Sequence, residues 1–480
     1  MNIQHENAEN GVEKRSEKNS GYHRRRKNIC LYFHVHQPFR LRKYNIFDIK
    51  RNHNYFDDKK NKEVLLKVAH KCYLPANKLM LELIRKHPEF KVSYSITGVI
   101  IEQFERYCPQ VLQSFKDLAA TGQVEFVAET YYHSLAFLHS TQEFFDQVDL
   151  QVKTIQKHFN QTPVVFRNTE LIFNNHLAWH MQQKGYKAIL AEGADHIMQW
   201  RSPNYVYHAK TAPHIKLLLK NYKLSDDIAF RFGNRSWGEY PLTADKYAAW
   251  VDSTDGEIIN LFMDYETFGE HQWADTGIFT FMKHLPEYLI ARGIGFVTPS
   301  EAADLEAKGE LDIHNFISWA DIERDLSAWM GNKLQDSALQ EIYKIEEMVK
   351  ETRDPQIIDD WRKLQTSDHF YYMCIKYFSD GDVHKYFNPY DSPYDGFIIF
   401  MNILNDLLYR IEQKAMPKLQ SVKQDVYVHH MPQMHHVPVP SRQSAVNMSW
   451  TLNDSLFVQP EQAVPEAAQH VTSKNSPSPS

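Results

Sequence analysis

Residues 258–273 read IINLFMDYETFGEHQW. Ile258 to Met263 is a short apolar run with strand character. It then turns abruptly polar. Asp264, Glu266 and Glu270 fall within seven residues, with His271 and Trp273 just beyond. A buried strand that delivers acids at its C-terminal end is how parallel sheets and barrels present reactive groups.

The same junction recurs elsewhere in the chain. Ile29–Phe33 runs into His34-Val35-His36-Gln37-Pro38. Gly122–Ala128 runs into Glu129-Thr130-Tyr131-Tyr132-His133. Val164–Arg167 runs into Asn168-Thr169-Glu170. Further strands are expected at Phe90–Thr97, Lys187–Ala191, Ile228–Phe232 and Ile294–Thr298. Helical patterns separate them, at Glu63–Arg85 (interrupted by Pro75), Ile101–Ala120, Phe144–Phe159 and His176–Lys184. Parallel strands need crossover helices, so the pattern predicts an α/β fold built on a parallel barrel over residues 28–310. In such a barrel the C-terminal strand ends converge, which would gather the polar clusters into one site.

After residue 310 the strands stop. Ser337–Arg353 and Phe397–Lys414 read as helices, which predicts a helical domain over 311–415 packed on the barrel. Two polar-aromatic stretches interrupt it, Ile317–Trp329 and Asp380–Asp395. Residues 1–27 are polar, end in His23-Arg24-Arg25-Arg26-Lys27, and read as a disordered arm. Residues 416–480 are rich in Pro, Ser, Gln and His and read as a mostly disordered tail. The pairs His429-His430 and His435-His436 have no Cys or acid framework beside them, so a solvated tail outweighs a metal site there.

Composition narrows the class. There are 54 Lys and Arg against 60 Asp and Glu, a formal charge of −6, which speaks against a nucleic-acid partner. The four cysteines are far apart and form no C-x-x-C pair, so neither a disulfide framework nor a zinc ribbon is expected. The N-terminus has no apolar core of a signal peptide, and no apolar run is long enough to span a membrane. These features predict a cytoplasmic protein. The 26 Tyr, 28 Phe and 9 Trp imply a large aromatic core or a cleft lined with flat rings, as sugar binders use.

The chemistry concentrates in two acids. Glu170 and Asp264 each close an apolar run, and on neighbouring strand ends they could face each other across a cleft. Retaining glycosidases need such a pair roughly 5–5.5 Å apart, one as nucleophile and one as general acid/base. The acid needs its pKa raised by an apolar or like-charged setting, which Phe262, Met263, Tyr265, Phe268 and Glu266 could supply. Arg167 near Glu170 would keep the nucleophile ionised. His34 and His36, two apart on a strand, put both rings on one face, a spacing that a metal can use. With an acid they would suit a metal-dependent sugar deacetylase. Neutral histidines that bond sugar hydroxyls are the other reading, and spacing does not separate the two. Tyr131, Tyr132, Trp200, Trp237 and Trp273 fall at loops where rings could stack on sugars.

Taken in order, His34-Val35-His36-Gln37-Pro38, Gly122–Phe126, Phe166–Leu171, Phe262–His271 and Thr298-Pro299-Ser300-Glu301 resemble the five motifs of glycoside hydrolase family 57. The resemblance covers about residues 29–305 and extends through Trp319 to Trp329. Its details are similar to the family's compact α-amylase group. It implies a (β/α)7 barrel followed by a helical domain, and a retaining mechanism on α-1,4-glucans without a metal or other cofactor. By motif position it implies Glu170 as nucleophile and Asp264 as general acid/base. It implies His34, His36, Glu129, His133, Trp273 and Glu301 as substrate contacts. The family also holds 4-α-glucanotransferases and branching enzymes, so transfer by the same residues stays open. A non-catalytic glucan binder is a further alternative, disfavoured because both acids are present. Oligomeric state is left open.

Overall fold

The computed structural model describes residues 27–376 and 388–428, from 415 onward by the backbone alone. The arm 1–26, the tail from 429 with its His pairs, and the first half of the Asp380–Asp395 stretch lie outside the described residues.

Ten strands are described: β1 (Asn28–Val35), β2 (Val92–Ile96), β3 (Val124–Phe126), β4 (Val165–Arg167), β5 (Ala188–Glu192), β6 (Tyr207–Ala209), β7 (Ala212–Lys220), β8 (Ile258–Asp264), β9 (Gly295–Phe296) and β10 (Glu310–Leu311). Seven of them close a parallel barrel in the order β1-β2-β3-β4-β5-β7-β8 and back to β1. The seam between β3 and β4 is one bridge from Ala128 to Phe166, with backbone bonds of 2.9 Å (Ala128 N to Val165 O) and 2.8 Å (Arg167 N to Ala128 O). β6 runs antiparallel along β7, and β10 pairs with β6. The two residues of β9 pair with Asn28 and Ile29, at the start of β1.

Each barrel strand sorts its residues by the two-residue period of extended backbone. On β1, Ile29, Leu31, Phe33 and Val35 join the core between strands and helices. Cys30 and Tyr32 join a separate core with Val165, Leu190, Leu218, Ile258 and Phe262 from other barrel strands. These inner residues are the alternate positions of β1, β4, β5, β7 and β8. Continuing each inner file one step toward the C-terminal end reaches His34, Arg167, Glu192, Lys220 and Asp264. Apolar residues fill the barrel, and polar ones cap its mouth.

Two expectations fail here. Ile228–Phe232 is not a strand but lies in a widened helical turn, Asp227–Arg231, where Arg231 Nε bonds Asp227 Oδ1 at 2.7 Å. The barrel place expected for it belongs to β7. A short run that is apolar but for Arg231 fits either state by periodicity, and the contact from Arg231 to Asp227 one turn earlier decides for helix. Ile101–Ala120 is two helices, Gly98–Tyr107 and Pro109–Ala119, because Pro109 cannot continue the first. Around Pro75 the chain uses helices Asp58–Val68 and Leu74–Lys86, joined by a wide turn at Ala69–Tyr73.

The helical part belongs to one compact unit with the barrel, which ends at Ser421. Ile317 pairs with Phe173, and Thr366 with Ser134, so two segments dock on the loops that follow β4 and β3. Buried Trp361 donates to Ile342 O at 2.8 Å, and Arg362 bonds Glu143 of the helix after β3 at 2.7 and 3.1 Å. The last helix among the described residues is Pro393–Val428, so the expected break at 415/416 falls inside it. The Pro- and His-rich composition behind that expectation is concentrated after Val428.

Candidate active site

Every strand of the barrel contributes one polar residue at its mouth. In barrel order these are His34, Ser95, Glu129, Arg167, Glu192, Lys220 and Asp264. Charge alternates from Glu129 onward, and neighbours pair. Arg167 lies 3.4 Å from Glu129, and Lys220 lies 3.7 Å from Glu192. Buried charges need such partners, since desolvation is otherwise prohibitive. His34 Nδ1 and the Tyr32 hydroxyl share Ser95 Oγ at 2.9 and 2.6 Å.

Glu170 sits one turn beyond β4. Its backbone is left-handed, φ 58° and ψ 23°, and Leu171 follows at φ 52°. Non-glycine residues adopt this only under constraint. The constraint is visible in its partners. Glu170 Oε1 lies 3.1 Å from His133 Nε2 and accepts from Ser367 Oγ at 2.9 Å. Oε2 accepts from Trp319 Nε1 at 2.8 Å, and the Glu170 carbonyl accepts from the Trp319 N–H at 3.2 Å. Burial alone would raise the Glu170 pKa. The His133 hydrogen bond and charge, with Arg167, overcome it and hold the carboxyl below its usual range.

His133 also has positive φ, 52°. Its Nδ1 meets Glu129 Oε2 at 3.3 Å while Nε2 meets Glu170. Burial opposes its charge, but the two carboxylates raise its pKa to about 9. His34 stacks on it and His36 packs tilted against it, with ring centroids 4.7 and 4.1 Å away. Burial pushes His34 and His36 down; His34 feels the added repulsion of Arg167 and His133, and His36 that of His133. His36 Nε2 lies 3.1 Å from Asp368 Oδ2, so the segment that carries Ser367 reaches the cluster at a second point.

Asp264 ends β8 beside His34, its register partner on β1. It is not on a strand next to Glu170, as expected. β4 and β8 stand across the barrel, with β5 and β7 between them on one side. The two acids therefore face each other from opposite walls of one mouth. Burial first, and then the Glu170 charge, raise the Asp264 pKa to about 6, against Arg167, Lys220 and His133. Glu266 is pushed higher still, to about 8, by burial and by Asp264, and the Tyr73 hydroxyl donates to it. Glu270 is tied to Lys67 at 2.5 Å and Lys71 at 3.6 Å.

Two expected contacts lie elsewhere. Trp273 is 57% exposed and holds Lys71 Nζ 5.2 Å from its ring, and none of the cluster's hydrogen bonds described above reaches it. Glu301 caps the short helix Pro299–Ala302 by bonding the Thr298 N–H at 2.9 Å, and it pairs with Lys91 just before β2. That is the N-terminal end of the barrel, opposite the mouth. The reason is the shortness of β9, which leaves the chain near the base of β1. Trp319, Ser367, Asp368, Lys220 and Glu192 were not anticipated. Only Trp319 carried a signal, in its polar-aromatic stretch. Arg167 and Lys220 lie 5.1 and 5.5 Å from its ring centroid, and Arg324 holds its carbonyl.

Two donor sets could be tried by a metal: His34, Glu129 and His133, or His36, His133 and Asp368. Both use His133, whose two ring nitrogens already face carboxylates and whose charge would repel a cation. His34 Nε2 is buried without a hydrogen-bond partner. A divalent ion fits these sets only if His133 gives up a proton that two carboxylates hold on it.

Residues 30–314 match the sequence signature described as Glycosyl hydrolase family 57. The chain belongs to this family. It is 48% identical over 403 residues to "Putative alpha-amylase" of Methanocaldococcus jannaschii, covering 80% of this chain and 85% of that one. Among solved structures, the family 57 branching enzyme of Pyrococcus horikoshii superposes with a TM-score of 0.57 at 15% identity, over 75% of this chain and 88% of that one. The 4-alpha-glucanotransferase of Thermococcus litoralis gives 0.55 at 16% identity, over 72% and 56%. Those two likenesses bear on the fold, a barrel followed by helices. As a family 57 member the chain is a glycoside hydrolase. No helix among the described residues is long and apolar enough to cross a membrane.

Proposed function

We propose that this family 57 enzyme hydrolyses α-1,4-glucosidic bonds of α-glucans with retention, as an α-amylase does. One observation carries the reading. Two carboxyls share a barrel mouth, and their surroundings push them to opposite protonation states, Glu170 down and Asp264 up to about 6. That division is what a nucleophile and a general acid require.

In the first step Glu170 attacks the anomeric carbon and forms a bond to it. The bond from that carbon to the leaving sugar oxygen breaks as Asp264 gives the oxygen its proton. In the second step Asp264, now ionised, takes a proton from water, the water oxygen bonds the anomeric carbon, and Glu170 departs. A sugar hydroxyl in place of water gives transfer. His133, Ser367 and Trp319 hold Glu170 aimed and charged. The buried, free cysteines suit a reducing compartment, and we assign the enzyme to the cytoplasm.

Incubation with maltoheptaose tests the activity. Only shorter chains are expected. Longer chains would make the enzyme a transferase, and an unchanged sugar would defeat the reading.

Trp319→Phe removes one donor to the Glu170 carboxylate without removing an aromatic ring. A hydrogen bond to a charged group is worth about 1.5–3 kcal/mol, so kcat/KM should fall on the order of tenfold to a hundredfold. Loss of a donor to the ionised form raises the Glu170 pKa, so the acid limb of the pH profile should move upward. An unchanged limb would separate Trp319 from the nucleophile.

A further inference from the structure

A cavity of about 610 Å³ opens outside the catalytic cluster, and none of Glu170, Asp264, His34, His36 or His133 lines it. Its size lies within the range of small-ligand sites. Three segments build it. The segment after β1 gives Phe39, residues 53–56 and Asp58, helix Gly98–Tyr107 gives Glu102 and Arg106, and helix Pro355–Lys363 gives Asp359 and Lys363.

The cavity is tied to the barrel mouth at two points. Phe39 follows His36 by three residues. The Tyr131 hydroxyl donates to Glu102 at 2.9 Å and the Tyr132 hydroxyl to Asp359 at 3.0 Å, just before His133. The loop that holds Glu170 through His133 thus also braces two residues of the cavity wall, Glu102 and Asp359.

The lining is polar, and its charges are paired. Arg106 forks onto Asp58 at 2.9 and 2.7 Å. Lys363 bridges Glu102 at 3.0 Å and Asp359 at 2.7 Å, and Arg410 neutralises Asp360 at 2.6 Å. A charged ligand would find its counter-charges already engaged. An apolar ligand would strip water from fixed polar groups without replacing its hydrogen bonds. A neutral, polyhydroxylated ligand meets both demands, because its hydroxyls can donate to the carboxylates and accept from the guanidinium and ammonium groups. Phe56, partly exposed and 5.9 Å from Phe39 between ring centroids, adds a flat apolar face.

We infer that this cavity is a second binding site for an α-glucan chain, which retains a long polymer while another part of it occupies the catalytic mouth. The inference rests on the substrate class proposed above. Two engaged segments on one chain raise apparent affinity with no new contact at the mouth.

Asn54→Trp and Gln356→Trp each fill the cavity from an exposed position on a different wall. Binding of glycogen is read in a Glu170→Gln background, where the polymer is not consumed, and maltotriose turnover is read in the active enzyme. Glycogen affinity should fall on the order of tenfold in each variant, with maltotriose kcat/KM unchanged. A loss in either variant with preserved maltotriose turnover upholds the site. Unchanged glycogen affinity in both overturns it, and so does a parallel loss of maltotriose turnover, which would trace the effect to the catalytic mouth. Variant-sensitive glycogen binding by an enzyme that cleaves no α-glucan would uphold the cavity and sink the proposed hydrolysis instead.

Discussion

Glu170→Gln lowers kcat/KM for maltoheptaose by on the order of 10⁴-fold or more, with the cooperative unfolding transition retained. The amide fills the same space but cannot attack the anomeric carbon. His133, Ser367 and Trp319 all reach for this side chain, so the loss falls on the one group that three donors position. A second effect follows from the electrostatics. Burial and the Glu170 charge together raise Asp264 to about 6. Removing the charge leaves burial as the upward push against Arg167, Lys220 and His133, so the Asp264 pKa in the variant should fall below its value in the unmodified enzyme. Carboxyl titration by NMR reads this directly. Near-normal turnover, or an Asp264 titration that does not move, contradicts the pairing.

The companion prediction concerns Asp264→Asn. A positioned general acid contributes about 10²–10⁴-fold, so maltoheptaose hydrolysis should fall by that order. The loss should be smaller for an aryl glucoside whose leaving group needs no proton. Azide should then accelerate turnover of such a substrate and yield the α-glucosyl azide, because Glu170 still forms the covalent intermediate and azide displaces it from the opposite face. The pH profile follows from the same group. Asp264 must be protonated to act, and it loses its proton as pH rises through about 6. The kcat/KM of the unmodified enzyme therefore declines above about pH 6. On the acid side it declines only where Glu170 protonates, below the usual carboxylate range. In Asp264→Asn the alkaline decline should vanish. An intact alkaline limb would assign it to another group, with Glu266 the first to test because its pKa also lies near neutrality, at about 8.

How much of this was legible before any coordinates depends on how local each feature is. The apolar-to-polar junctions at His34, Glu129, Glu170 and Asp264 were readable because an apolar run and the polar residue that ends it are neighbours in sequence. The inner files of β1, β4 and β8 then follow from the two-residue period alone. β7 escaped because Pro213, His214 and Lys216 break the apolar pattern ahead of the Leu217–Leu219 core, while Ile228–Phe232 offered a competing run, apolar but for Arg231. The strand order was not local either, and so Asp264 and Glu170 were expected side by side, whereas β5 and β7 separate their strands on one side of the barrel. Glu301 shows the same limit. Its distance along the chain from a strand says nothing about which end of the barrel that strand reaches, and β9 stops at the base of β1. Trp319, Ser367 and Asp368 lie 149, 197 and 332 residues from the groups they bond. Contacts at that separation are set by how the helical part docks, through the Phe173–Ile317 and Ser134–Thr366 bridges, and no periodicity encodes them.

The central claim is that Glu170 becomes covalently bound to sugar during turnover. A 5-fluoro-α-glucosyl fluoride tests it most directly. The ring fluorine slows both steps, while the anomeric fluoride leaves without a proton, so a covalent intermediate accumulates. Peptide mass spectrometry of the inactivated enzyme should find one glycosyl adduct, on Glu170. An adduct on Asp264 or Glu266, or inactivation with no covalent adduct, would contradict the account.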